Sequence, residues 1–228
     1  VQEENQKLKE QNDELTSQLN TIKLEKYDLD NLRELLDLDE KYPSYQKVAA
    51  SVIAKDTGNW FSVFTIDKGS KDGLKKGMNI MAGSGLVGII TDVGPNYAKV
   101  RSIIDDSANV SAMVTTTGDN MNVSGNLQTM NSDQAITFSE LRDSEDKVQI
   151  GDPVVTSYVS DQYQQGILIG YIASIESDSN KLTKSGTITP VVDFEHMENV
   201  LVILDTKETG DSTQTESSGD SSTQTTEQ

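Results

Sequence analysis

Residues 83–93 read GSGLVGIITDV. The first six fit G-x-G-x-x-G, the spacing of a dinucleotide-binding loop. Whether they form that loop or a β-hairpin decides the fold class. A phosphate cradle needs a strand before the glycines and a helix after them, because the pyrophosphate sits on the helix N-terminus. MNIMA (78–82) supplies the strand. The continuation is β-branched and is broken by Gly94-Pro95, so it reads as a second strand and not as a helix. The glycines are therefore expected to make a hairpin turn (Gly83, Gly85) and a close backbone approach in a small barrel (Gly88). No nucleotide or other cofactor is expected.

The same period-2 pattern spreads outward from this hairpin. QKVAASVIA, NWFSVFTID, AKVRSIID and ANVSAMVTT are short, β-branched and separated by turn chemistry such as KGSKDGLKKG. A second series follows Thr117-Gly118-Asp119-Asn120: MNVSGNLQ, DQAITFSEL, DPVVTSYV, GILIGYIASI, KSGTITPVV and NVLVILD. Evenly spaced short strands predict small barrels. The fold class is mainly β, with a first β-domain over 46–118 and a second over 119–204. The last strand is free to return to the first domain.

Upstream the period is seven. Residues 1–41 hold no Gly or Pro, and Val1, Leu8, Leu15, Ile22, Leu29 and Leu36 are spaced as a heptad seam. The companion positions are Asn5, Asn12, Leu19, Lys26 and Arg33; the two Asn favour a two-stranded register at a cost in stability, and Lys26 and Arg33 weaken the seam further. Leu32, Leu35 and Leu38 widen the apolar face where the helix meets the β-domains. The segment reads as a dimerising coiled coil about 60 Å long, with Leu8, Leu15, Leu19, Ile22, Leu29, Leu32 and Leu36 at the contact. Pro43 ends it.

Downstream, residues 205–228 form an acidic tail. From 206 on it has no Leu, Ile, Val or aromatic residue, too little apolar surface to offset the entropy of ordering. The chain carries 19 basic and 37 acidic residues, a net charge of −18. That charge argues against nucleic acid as a partner. The absence of cysteine removes disulfides, thiolate metal sites and cysteine nucleophiles. No apolar run is long enough to span a bilayer, so any anchor is expected before Val1.

Few residues invite chemistry. His196, the single histidine, sits beside Glu195 with no nucleophile loop in sequence, and reads as structural. Asp105 and Asp106 lack the spacing of a calcium loop and read as turn residues, so no metal site is expected. Trp60, Phe61 and Phe64 lie on one expected strand, with Trp60 and Phe64 on the same face. Together with Tyr158 and Tyr163 they are candidates for a partner-binding surface, and their alternative is core.

In order along the chain, IDKGSKDGLKKGM (66–78), GLVGII (85–90), AKVRSIID (98–105), VQIGDPVVTS (148–157), GILIGYIASI (166–175) and VLVIL (200–204) resemble the MreC family of bacterial rod-shape-determining proteins. The likeness covers about residues 1–204; YVSDQYQQGI (158–167) departs from it, where the family often has Gly and Pro. The resemblance implies a cytoplasmic N-terminus, one transmembrane helix, the coiled coil and two extracytoplasmic barrels, like those of chymotrypsin-like proteases but without a catalytic triad. It also implies a homodimer, with larger assemblies, that works with MreD, MreB and class B penicillin-binding proteins in the elongasome. The expected function is a non-enzymatic scaffold that positions and activates peptidoglycan synthases. The alternative is a periplasmic adaptor of an export system, against which stands the lack of a second helical arm.

Overall fold

The computed structural model describes residues 2–207 apart from 43, 57, 59, 84, 144, 145, 180 and 181, with the side chains of 2–13, 34 and 38–41 also outside the description. Helix α1 (Gln2–Lys41) leads into twelve strands and one short helix. Strands β1 (Lys47–Lys55), β2 (Val63–Ile66), β3 (Asn79–Ala82), β4 (Gly85–Val93) and β5 (Ala98–Ser102) precede β6 (Asn109–Val114) and β7 (Asn120–Ser124). Helix α2 (Leu127–Asp133) follows. Then come β8 (Ile136–Leu141), β9 (Pro153–Thr156), β10 (Leu168–Ser177), β11 (Lys184–Pro190) and β12 (Asn199–Ile203).

The strands close into two six-stranded antiparallel barrels, ordered β1-β12-β3-β4-β5-β2 and β10-β11-β8-β7-β6-β9. Alternation builds both cores. In β5 the inward Ala98, Val100 and Ser102 are buried while Lys99 is exposed, and in β7 Met121 and Val123 face in. Phe64, Ile80, Leu86 and Val202 fill the first barrel; Val123, Phe138, Ile169 and Ile188 fill the second. Closure leaves neither barrel with an open sheet edge.

The strand pairing corrects the domain boundary expected at 118. β6 pairs with β7 and β9, so it belongs to the second barrel, and Thr115–Asp119 is the turn of that hairpin. The chain crosses between barrels at 103–108, through IIDDSA. β12 pairs with β1 and β3 in the first barrel. The second barrel is thus an insertion between the fifth and last strands of the first.

At the opening motif, β4 runs on from the glycines as a strand paired with β3 and β5. Gly83 takes the turn, with φ of 57°. Gly85 does not share it: it begins β4, and a Cβ there would collide with the Leu168 carbonyl oxygen of β10 in the other barrel. Gly88 is pressed against the Arg101 and Ser102 backbone of β5.

Candidate functional site

Helix α1 presents an uncovered apolar seam. Leu15 is 64% exposed and Leu29 is 47% exposed, with Leu19, Ile22, Leu32 and Leu36 between those values; the side chain of Leu8 lies outside the described residues. The helix base is tied down. Leu35 packs on the core and the Asn31 amide donates to Glu198 Oε2 at 3.2 Å. The seam therefore points away from the barrels while the opposite face anchors to the loop before β12.

The two barrels are locked together at the helix exit by the loop 158–166. This is the stretch whose sequence departs from the family pattern. Tyr45 donates its hydroxyl to the Gln165 carbonyl at 2.9 Å, and Leu168 N–H donates to the Tyr42 hydroxyl at 3.1 Å. Burial pushes both phenols' pKa up from their ordinary value, more than the Leu168 amide lowers that of Tyr42. Asn79, itself buried, accepts from Gln164 N–H at 2.6 Å and donates to the Gln162 carbonyl at 3.0 Å. Gln164 in turn donates to the Asp205 carbonyl. Buried polar groups with both donors and acceptors met fix one arrangement of the two bodies. Nothing in the local sequence marks Asn79 for this role, since its partners lie some 80 residues away.

The aromatic candidates divide. Phe64 is 1% exposed and Tyr163 is 3% exposed; both are core, and burial drives the Tyr163 hydroxyl up to about 12. They cannot line a docking surface in this fold. Pairing in β2 begins only at Val63, so Trp60 lies in a loop and the strand alternation that placed it beside Phe64 does not apply. Trp60 is half-buried and donates Nε1–H to Asn131 Oδ1 of α2 at 2.6 Å, a second bridge between barrels. Phe61 is half-buried, packs edge-on against Phe64 at 6.0 Å and carries Lys55 Nζ at 4.7 Å over its ring. Tyr158 is 63% exposed.

His196 is exposed and its Nδ1 pairs with Asp193 Oδ2 at 3.1 Å. Although burial alone would raise it, the Glu195 and His196 N–H groups and the imidazole hold the Asp193 carboxyl below the usual range. Among the described residues no hydroxyl bonds this imidazole. Asp105 accepts from Ser107 N–H and Oγ–H, and Asp106 from Leu127 N–H, the work of turn residues.

The family profile described as rod shape-determining protein MreC, barrel core, matches residues 52–204, a span that covers eleven of the twelve strands and the end of β1. The chain belongs to the MreC family. The cell shape-determining protein MreC of Listeria monocytogenes is 32% identical over 209 residues, which cover 91% of this chain and 70% of that one. A solved MreC structure from Listeria aligns at 31% identity with a TM-score of 0.65, over 91% of this chain and all of that one. The MreC fold is also found in a solved complex between a penicillin-binding protein (PBP2) and MreC from Helicobacter pylori. That match has a TM-score of 0.51 at 13% identity over 70% of this chain, and it shows the shared fold alone.

Proposed function

We propose that this chain is a dimeric, non-enzymatic scaffold of cell-wall elongation, held at the extracytoplasmic face of the membrane by a segment preceding residue 1. Its uncovered heptad seam carries the reading: six apolar side chains spaced for a two-stranded contact are exposed on a helix whose other face is already docked. Pairing two copies along that seam holds four barrels in one rigid assembly, and a rigid multivalent platform concentrates synthases by positioning alone. Class B penicillin-binding proteins are the partners this predicts, with MreD and MreB on the membrane side. The complex formed by the Helicobacter pylori relative supports the first of these. Trp60, Phe61 and Tyr158 retain exposed surface for such contacts. Nothing favours an export adaptor: among the described residues, the other α-helix is the seven-residue α2.

The test is sedimentation equilibrium on the whole chain, paired with capture of a purified, fluorescent-penicillin-labelled class B penicillin-binding protein. The wild type should sediment as a dimer and retain the labelled enzyme. Leu15→Asp with Ile22→Asp should give a folded monomer with reduced retention. A monomeric wild type, or a dimer that retains no labelled enzyme, would overturn the reading.

A further inference from the structure

The second barrel carries a groove of about 840 Å³ along β6, β7 and β8, at the end marked by the Gly118–Asp119 turn. That lies within the roughly 300–1,000 Å³ of small-ligand sites. The outward side chains here are in cross-strand register. Ser111 stands opposite Asn122, which stands opposite Ser139; Asn109 stands opposite Ser124, which stands opposite Thr137. These six side chains are uncharged and polar across three strands, in a chain of net charge −18. At the groove the only charged liners among the described residues are Asp119, Glu140 and Arg142.

These groups have unused hydrogen-bonding capacity. Asn120 Oδ1 accepts from Ser157 Oγ–H at 2.6 Å, which fixes that carboxamide and leaves its N–H₂ for a ligand. The side chains of Ser111, Asn122, Glu140 and Arg142 have no protein partner among the described residues. Glu140 is also held in the left-handed region, with φ of 59°. A bulge between the pairs Leu141–Lys184 and Phe138–Gly186 turns both Ser139 and Glu140 outward and breaks the alternation of β8. Such a backbone is unfavourable for a residue other than glycine. Its effect is to aim a carboxylate at the groove, as bulges beside binding sites do.

We infer that this groove binds an oligosaccharide carrying N-acetylated amino sugars. Carboxamides pair with the donor and acceptor of an acetamide, while Glu140 and Arg142 take adjacent ring hydroxyls. A peptide is the poorer fit. An extended peptide adds to an open sheet edge or seats apolar side chains; this barrel is closed, and Met121 and Val159 are the groove's apolar liners. The inference stands on the second barrel alone and does not depend on dimerisation or synthase binding.

The experiment is titration calorimetry of the full chain with chitotetraose, with wall glycan strands stripped of peptide, with the same strands carrying their stem peptides, and with cellotetraose, which has no acetamide. Asn122→Val keeps a strand-forming side chain and Arg142→Gln keeps the stem, so both should melt as the wild type does. The acetylated ligands should bind at least about tenfold more tightly than cellotetraose, and each variant should weaken them by about fivefold to tenfold, the size of one hydrogen bond. Binding of stripped strands without chitotetraose supports the site and assigns it to wall glycan; the reverse supports it for another N-acetylglucosamine polymer. Equal binding of cellotetraose, indifference to both variants, binding only when stem peptides are present, or no heat at millimolar ligand would each overturn the inference.

Discussion

A methyl group at Gly88 would fall inside van der Waals distance of the Arg101 carbonyl oxygen, with Ser102 Cα behind it. Both neighbours are backbone, so neither can rotate away. Gly88→Ala is expected to cost about 3 kcal/mol, the upper range of overpacking, read from the urea midpoint at unchanged m-value. The need for a close approach at Gly88 was legible, because a glycine inside a β-branched run signals one. The role of Gly85 was not, because its neighbour Leu168 is remote in sequence and belongs to the other barrel. Phe64 was unreadable for a related reason: alternation orders the two faces of a strand but does not say where the strand starts.

The same scale holds the most buried ion pair among the described residues. Lys184 Nζ bonds Asp143 Oδ2 at 2.8 Å and also Asp146, while Asp143 accepts from Lys147 and Val148 N–H. Burial opposes the charge on Asp143, but Lys184 and the two amides outweigh it and lower the pKa. The hydrogen bond to Asp143, then that to Asp146, raises the pKa of Lys184. The depressed carboxyl stabilises the fold above its unfolded value of about 3.9, and that contribution is lost as pH falls through its folded value. The raised amine stabilises below about 10.4, and that is lost as pH climbs through its higher folded value. Lys184→Met is expected to cost about 2 kcal/mol at neutral pH, the size of a charge-assisted hydrogen bond, because the Asp143 carboxylate keeps its two amide donors. In denaturant melts repeated at falling pH, the gap to wild type should narrow below about pH 4 as Asp143 takes a proton.

At the scale of elements, all twelve strands were legible, because period-2 alternation and turn residues act over four to ten positions. Helix α2 was not. Seven residues span two turns, too few for a helical period to register, and Met130 is its one buried residue. Its signal was the cap. Asn126 accepts from Thr129 N–H at 2.9 Å, meeting one of the donors a helix start leaves open. Asn126→Ala should cost about 1 kcal/mol, measured by thermal melting. Because Asn131 of α2 receives the Trp60 indole N–H, the same variant should also speed hydrogen exchange at Asn131 more than in β10. For α1 the heptad was fully legible. Only the structure shows which side faces the barrels, through Asn31 and Leu35, and hence which side is uncovered.

At the scale of the whole molecule the decisive fact is the return of β12. The boundary expected at 118 rested on the turn residues Thr117-Gly118-Asp119-Asn120, yet they mark a hairpin inside one barrel. The true crossing, IIDDSA, has no Gly or Pro to announce it. Turn chemistry reports how sharply the chain bends and says nothing about which sheet it enters next. The topology makes the barrels unequal as folding units. The second is continuous over 109–190, whereas the first lacks its closing strand until residue 203 is in place. Without β12, β1 and β3 lose the neighbour they share, exposing two unpaired edges and the cavity left by Val200 and Val202. A fragment of residues 103–198 should therefore fold alone, with dispersed amide resonances and a cooperative melt, and a fragment of residues 46–108 should not. Adding a peptide of residues 198–206 to the latter should restore part of its dispersion by filling the place of β12. A folded 46–108 fragment without the peptide would mean that the five remaining strands close on their own, and that β12 serves to tie the barrels together, not to complete the first.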